Sequence, residues 1–402
     1  MTSVLKRRGV LSLAAAAWAL PSLRAHAARA PIRLAHIHSR SGPLQSYGQQ
    51  TSIGLAMGLE YATGGSLQVA GRPLVLTEAD DEGRPERGQA LLEQAYADGA
   101  DLAIGPTSSA VALALLPVAQ AQRKLLLVEP AVADIITGER WNRYIFRTAR
   151  NSSQDAIANA IVLDHEGLHL ATLAQDSPFG RSGVAAFRAA LRKAEIVHEE
   201  YVDTGRVPDV GAIAQRLIER LRGRTGRKVV WILWAGDDPP FALADHFKRH
   251  GIELATVGNT LGAMVQFNRM PGMQGAAYYY YAFSRNTVNL WLVTQHFLRY
   301  GSPPDMFTAG GFAAAMAIVS ALRATQGDTD PERLVAAMEG LRFETPKGWM
   351  QFRAEDHQAL QSMYHFRVSS GAFPGSIPDL KLVREIPPAE IDLPIRNRRK
   401  TG

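Results

Sequence analysis

From residue 32 onward, short apolar runs of strand length alternate with longer stretches in which apolar residues recur every three or four positions. Ile32–His38, Leu74–Ala79, Leu102–Ile104 and Leu125–Val128 read as strands, and Gly48–Ala62, Arg84–Asp98 and Ser109–Gln122 between them as helices. A second series follows: strand Leu170–Gln175, helices Arg181–Ala194 and Val210–Leu221, strand Val229–Trp234 and helix Pro240–His250. Such alternation with short polar connections predicts parallel sheets flanked by helices. Within Arg84–Asp98 the spacing of Ala90, Leu91, Gln94, Ala95 and Asp98 turns Leu91 and Ala95 toward a sheet. Beyond Gly275 the pattern becomes helical (Thr287–Arg299, Ala309–Ala324, Pro331–Leu341), then strand-like at Trp349–Phe352 and Ser362–Val368. Two α/β units followed by helices belonging to neither alone predict two lobes with the chain passing between them more than once. A cleft then forms where strand carboxyl ends face each other, the usual place for a small-molecule site.

Composition narrows the chemistry. The 402 residues are 46% hydrophobic and 20% charged, which excludes disorder, and the chain has no cysteine. Disulfides, thiolate metal centres and a cysteine nucleophile are thereby excluded. The start of the chain has a basic segment (Lys6, Arg7, Arg8), an apolar run from Val10 to Leu20 and small residues at Ala25 and Ala27. That run is too short to span a bilayer, and the whole reads as an export signal, residues 1–27, cleaved after Ala27. Arg7-Arg8 fits twin-arginine export, although paired basic residues also occur in ordinary secretory signals. Loss of the signal removes four positive charges, lowering the formal charge from +6 to +2, and no basic face suggests nucleic-acid binding. The pattern shows no second long apolar segment, so the expected product is free in the periplasm.

Several loops could carry chemistry. Ser39–Gly48 joins the first strand to the first helix, and Gly105-Pro106-Thr107-Ser108-Ser109 holds the same position after the third strand. Hydroxyls at a helix N-terminus cap it, hold a carboxylate, or both. His36 and His38 alternate on a strand and share a face, which opens a metal-dependent hydrolase as a competing reading. His246 and His250 are four apart but lack the glutamate of a zinc-protease motif. Gly-x-Ser-x-Gly, Walker and dinucleotide glycine patterns are absent. Asp237 and Asp238 suit an ammonium group or a helix cap, and Tyr278–Tyr281 would show rings to both faces of an extended segment.

Taken in order, Ser41-Gly42-Pro43 with Tyr47-Gly48, Gly105–Ser109, Phe146-Arg147-Thr148 with Ser153-Gln154, Phe179-Gly180, Gly348 before Phe352, and Asp356-His357 make residues 31–370 resemble the type I periplasmic solute-binding proteins, the leucine/isoleucine/valine-binding group. The resemblance implies an α/β fold of two Rossmann-like lobes with parallel central sheets joined by a three-crossover hinge. It also implies closure on a small ligand, docking on an ABC permease served by ATPase subunits at the inner membrane, and no catalysis or cofactor. It places ligand binding at Tyr47, Ser108, Ser109, Pro130, Ala131, Val132, Ala133, Phe179, Asp237, Asp238 and Asn259, with the Ser109 hydroxyl and backbone groups of Pro130–Ala133 on a carboxylate. Neither Val132 nor Ala133 supplies the hydroxyl common in amino-acid binders, and no glutamate lies near Asn259. An amino acid and an aromatic or other small acid both remain candidates, and Tyr47, Phe179 and Trp234 suit a flat ring. The expected division is residues 31–150 with 278–350 in one lobe, 151–277 with 351–385 in the other, and a flexible tail at 386–402. A ligand-sensing subunit of a signalling system is the further alternative.

Overall fold

The computed structural model describes residues 29–203, 209–369 and 375–397, and the export signal lies outside them. The first lobe is built on a six-stranded sheet of β1 (Ile32–His38), β2 (Gln68–Val69), β3 (Arg72–Asp80), β4 (Leu102–Ile104), β5 (Leu125–Val128) and β6 (Ile145–Arg147) in the order β2-β3-β1-β4-β5-β6. All its pairings are parallel except β2 with β3. Helices α1 (Gln45–Ala62), α2 (Pro85–Ala97) and α3 (Ser109–Gln122) connect the strands. After the crossover to the second lobe come α4 (Ser152–Leu163), β7 (Leu168–Gln175), α5 (Pro178–Ala190), β8 (Glu195–Val202), α6 (Val210–Leu221), β9 (Arg227–Leu233), α7 (Leu243–Phe247), β10 (Ile252–Thr256), α8 (Leu261–Met264) and β11 (Gln274–Ala277). Strands β10-β9-β7-β8 form its parallel sheet.

The chain then returns through α9 (Thr287–Tyr300), α10 (Met306–Ala324), α11 (Pro331–Met338) and the small sheet of β12 (Arg342–Thr345), β13 (Gly348–Phe352) and β14 (Ala359–Leu360). It crosses a third time to β15 (Met363–Val368) and β16 (Leu380–Ile386), which pair antiparallel beside β11. Three crossovers thus join the lobes, at residues 148–151, 278–286 and 361–362. Phe343, Met350, Phe352 and Ala359 share one apolar core with Ile32, Leu34 and Leu127, so residues 351–360 sit with the first lobe and not, as expected, with the second.

Other expectations shift in the structure. On α2 the buried residues are Gly88, Leu92 and Tyr96, with Leu91 and Ala95 only half-buried beside them, so the sheet-facing stripe lies one position further along. Pro239 and Pro240 precede a helix that begins only at Leu243. The described part of the tail, to Asn397, is held down: Ile391 and Leu393 are buried, Arg353 donates to the Leu393 carbonyl at 2.6 Å, and Arg396 lies 3.7 Å from Asp134. A second long apolar segment does exist. Met306–Ala324 is long and apolar enough to cross a membrane, but 83% of its apolar window is buried, as befits a core helix.

That helix packs on α1 through small residues. A Cβ on Gly54 would lie 1.9 Å from the Thr308 carbonyl oxygen, and one on Gly311 2.0 Å from that of Thr51, so the two backbones touch where no side chain fits. Gly54→Ala and Gly311→Ala should each lower stability by about 2 kcal/mol or more through overpacking, read as a drop in melting temperature by circular dichroism. Gly64→Ala, in open space, would show the smaller cost of a positive φ alone.

Candidate functional site

The loops following β1, β4 and β5 meet those following β7, β9 and β10 around a cavity of about 340 Å³. Its position follows from the topology, because parallel strands in both lobes release their carboxyl ends toward the gap. Tyr47, Ser108, Ser109, Pro130, Ala131, Val132 and Phe179 all line it, together with Pro43, Leu44, Gln175, Trp234, Val257 and Phe307. The wall is mostly apolar and ringed by aromatic side chains.

Tyr47 belongs to α1 of the first lobe yet reaches the second. Its hydroxyl donates to Asn259 Oδ1 at 2.6 Å and accepts from the Gly236 amide at 2.9 Å, while its ring stacks on Phe307 with centroids 3.9 Å apart. Burial holds the phenol well above the usual tyrosine pKa, so it stays protonated. Asn259 therefore supports Tyr47 from outside the cavity wall. Asp237 and Asp238 border a neighbouring depression, and Asp237 accepts from Ser46 at 2.6 Å. Ser46–Asp237 is a second polar bridge between the lobes.

Ser108 is the N-cap of α3, accepting from the Ala110 amide, and Ser109 is the first helical residue. Ser109 Oγ accepts from the amides of Val132 at 3.2 Å and Ala133 at 3.1 Å. Those two amides are therefore already engaged by the serine, and Ala133 is buried behind the wall with its carbonyl on Arg147. With two donors on its oxygen, the Ser109 hydroxyl keeps its proton as a donor, at a helix N-terminus that favours negative charge.

Arg150, which sequence reasoning missed, lines the cavity from the first crossover. Its Nε donates to Asp155 at 3.0 Å, and its guanidinium lies over the Tyr278 ring at 4.8 Å. Burial opposes its charge, but the Asp155 and Glu129 carboxylates help hold its pKa above the ordinary arginine value. No described protein group accepts from its terminal nitrogens. A lone arginine between a strand and a helix carries no pattern, so only its nearness to Phe146-Arg147-Thr148 could have flagged it. Tyr278, Tyr279 and Tyr280 are buried, with their hydroxyls on Met306, Asn289 and Pro378, and none faces the cavity. His36 and His38 lie beneath the first helix beside Glu78 and do not line the cavity either.

Residues 31–372 match the family model described as periplasmic binding protein. The chain belongs to that family. Among solved structures it is similar to an ABC-type branched-chain amino acid transporter from Rhodopseudomonas palustris, at 53% identity, covering 92% of this chain and all of that one, with a TM-score of 0.81. It also resembles a Rhodopseudomonas palustris solute-binding protein solved with 3,4-dihydroxybenzoic acid, at 22% identity over 89% of this chain and 97% of that one with a TM-score of 0.73, a likeness of fold. A Leu/Ile/Val-binding protein homologue from Brucella melitensis is 28% identical over 181 residues, 44% of this chain and 48% of the relative. The match thus spans about half the length of that curated relative.

Tyr47→Phe removes the hydroxyl bridging Gly236 and Asn259. The Gly236 amide should then exchange with deuterium about tenfold faster, by roughly the 1.4 kcal/mol that one hydrogen bond contributes, while amides in β4 and β5 keep their protection. Unchanged exchange at Gly236 would remove Tyr47 as an interlobe strut.

Proposed function

We propose that this protein is the extracytoplasmic receptor of an ABC importer, closing on a small carboxylate with a flat or branched apolar body and delivering it to a membrane permease served by ATPase subunits. The observation that carries the reading is the polarity of the cavity. The lining sets the Ser109 hydroxyl, the α3 N-terminus and the Arg150 guanidinium among predominantly apolar and aromatic side chains. A carboxylate fits these donors through charge-assisted hydrogen bonds. Tyr47, Phe179, Trp234 and Phe307 cover the remainder of the ligand.

Among the described residues the cavity wall contains one acid, Glu82, and it is 3.5 Å from Arg84 and 3.3 Å from Arg87. Asp237 borders the neighbouring depression and is not part of this wall. An α-ammonium group would therefore lose water without gaining an anionic partner, which favours aromatic or aliphatic acids over amino acids. The relative solved with 3,4-dihydroxybenzoic acid takes such a ligand, while the more similar relative is named for branched-chain amino acids. A carboxylate is common to both. A micromolar ligand needs about −8 kcal/mol, within reach of two or three such hydrogen bonds and burial of one ring. Export by cleavage after Ala27 places the mature chain in the periplasm on this reading.

Calorimetry separates the ligand classes. Benzoate-type acids should bind the wild type at micromolar concentration, and leucine or valine at least about tenfold more weakly for want of an ammonium partner. Ser109→Ala should weaken the acid more than tenfold, and Arg150→Lys should weaken it while the fold survives. Equal affinity for the amino acid would reverse the choice of ligand. Unchanged affinity in Ser109→Ala would remove Ser109 from the site.

A further inference from the structure

We propose that His36, His38 and Glu78 form a site for one divalent transition-metal ion of the zinc class, set inside the first lobe and separate from the ligand cavity. The parallel register of β1 and β3 pairs His36 with Glu78, so their side chains are neighbours on one face, and His38 follows two residues along the same face. Their candidate ligand atoms all lie within 4.8 Å of one another. Glu78 Oε1 is 3.3 Å from His36 Nδ1 and 3.5 Å from His38 Nε2. Bonds of about 2.0–2.1 Å at a tetrahedral angle put neighbouring ligands roughly 3.4 Å apart, so these separations already match two edges of a zinc polyhedron.

The second observation is that the imidazoles are short of partners. His36 and His38 are 0% and 2% exposed, and His36 Nε2 and both ring nitrogens of His38 are buried without a hydrogen bond. Buried polar atoms are normally satisfied, and an ion would recruit one such nitrogen from His38. The two rings lie stacked, 4.0 Å apart and 8° from parallel, so their in-plane lone pairs run side by side. Convergence on an ion requires the His38 ring to tilt toward Glu78, and it has no hydrogen bond to lose in doing so. Ser52 donates to Glu78 and orients the carboxylate from outside, as supporting groups do at metal sites. Glu78 is 31% exposed, which gives the ion a route from solvent and leaves room for water as the fourth ligand.

Two imidazoles and one carboxylate suit zinc, cobalt(II), nickel(II) or copper(II) over calcium or magnesium, which require more oxygen ligands. None of the three residues touches the cavity, so the ion would take no part in a reaction there. Its effect is mechanical. Immediately after His38, Ser39 and Ser41 donate to Asp81 and Asp80 at the end of β3, and Ser41, Glu82 and Gly83 line the cavity. An ion joining β1 to β3 therefore braces the strands that carry one wall of the ligand site.

The test uses the mature protein after dialysis against chelator, titrated with zinc chloride by calorimetry and with cobalt(II) by visible absorption. One ion per chain is expected, with a raised melting temperature and the intense d–d bands of four-coordinate cobalt. His38→Phe and Glu78→Gln should each weaken zinc about 100-fold, whereas His246→Ala, which disrupts the exposed pair His246 and His250, should change nothing. Zinc binding lost in His246→Ala, or kept in both His38→Phe and Glu78→Gln, would overturn the proposal. If those variants do not fold, the wild type decides: six-coordinate cobalt bands or no stoichiometric zinc would also overturn it. The inference stands on strand register and not on the transport reading, so either can fail alone.

Discussion

Two lobes can close on a solute in register only if the segments joining them stay anchored to one another while a few backbone torsions absorb the swing, and here a buried arginine is the anchor. Arg147, at the end of β6, donates to Gln358 Oε1 at 2.6 Å, to the Ala133 carbonyl at 2.7 Å and to Thr137. Gln358 passes the connection on, donating to the Ala149 carbonyl at 2.8 Å in the first crossover. Gln361, in the third, donates to the Thr148 carbonyl at 3.4 Å. Burial lowers the pKa of Arg147 to about 10, still far above neutrality, so the charge persists and would be costly to leave unpartnered. Tyr278 of the remaining crossover stacks under Arg150 and near Lys347, whose ammonium is 4.7 Å from the ring. The three connections are thereby cross-linked by charge and hydrogen bonds at the floor of the cleft.

That floor also shapes the binding chemistry. Arg150 is positioned by the same crossover that Arg147 begins, and its pairing with Asp155 through Nε holds it in the cavity wall. Ser109, pinned by the amides of Val132 and Ala133, contributes from the opposite strand loop. The donors are thus fixed before a ligand arrives, which reduces the entropy lost on binding. Tyr47 and Ser46 instead reach across to Gly236, Asn259 and Asp237, contacts that depend on the approach of the lobes.

Much of the fold was legible where local signals agree. The elements β4, α3, β5 and α6 fall on the residues that periodicity marks, because buried strands are continuous apolar runs and Ser108 and Asp209 cap the helices. Strand β8 was not legible: Glu195–Val202 is a half-exposed edge whose Glu199 and Glu200 pair with Arg188 and Arg216. Helix α4 was overlooked despite its Asn151–Gln154 capping box, since its first turn is entirely polar. At the site, Tyr47, Pro130–Val132 and Phe179 were reached through the family resemblance, and Ser108 and Ser109 also as hydroxyls at a helix N-terminus. The place of Asp237 beside the cavity depends on Ser46 of the other lobe, and the meeting of Glu78 with His36 depends on strand register. No single stretch of sequence carries either contact.

Small-angle scattering of the wild type with and without a saturating acid ligand tests the central claim of closure most directly. A smaller radius of gyration in the bound sample, with unchanged mass, is the predicted result. Indistinguishable curves under proven saturation would contradict a clamp that works by bringing the lobes together.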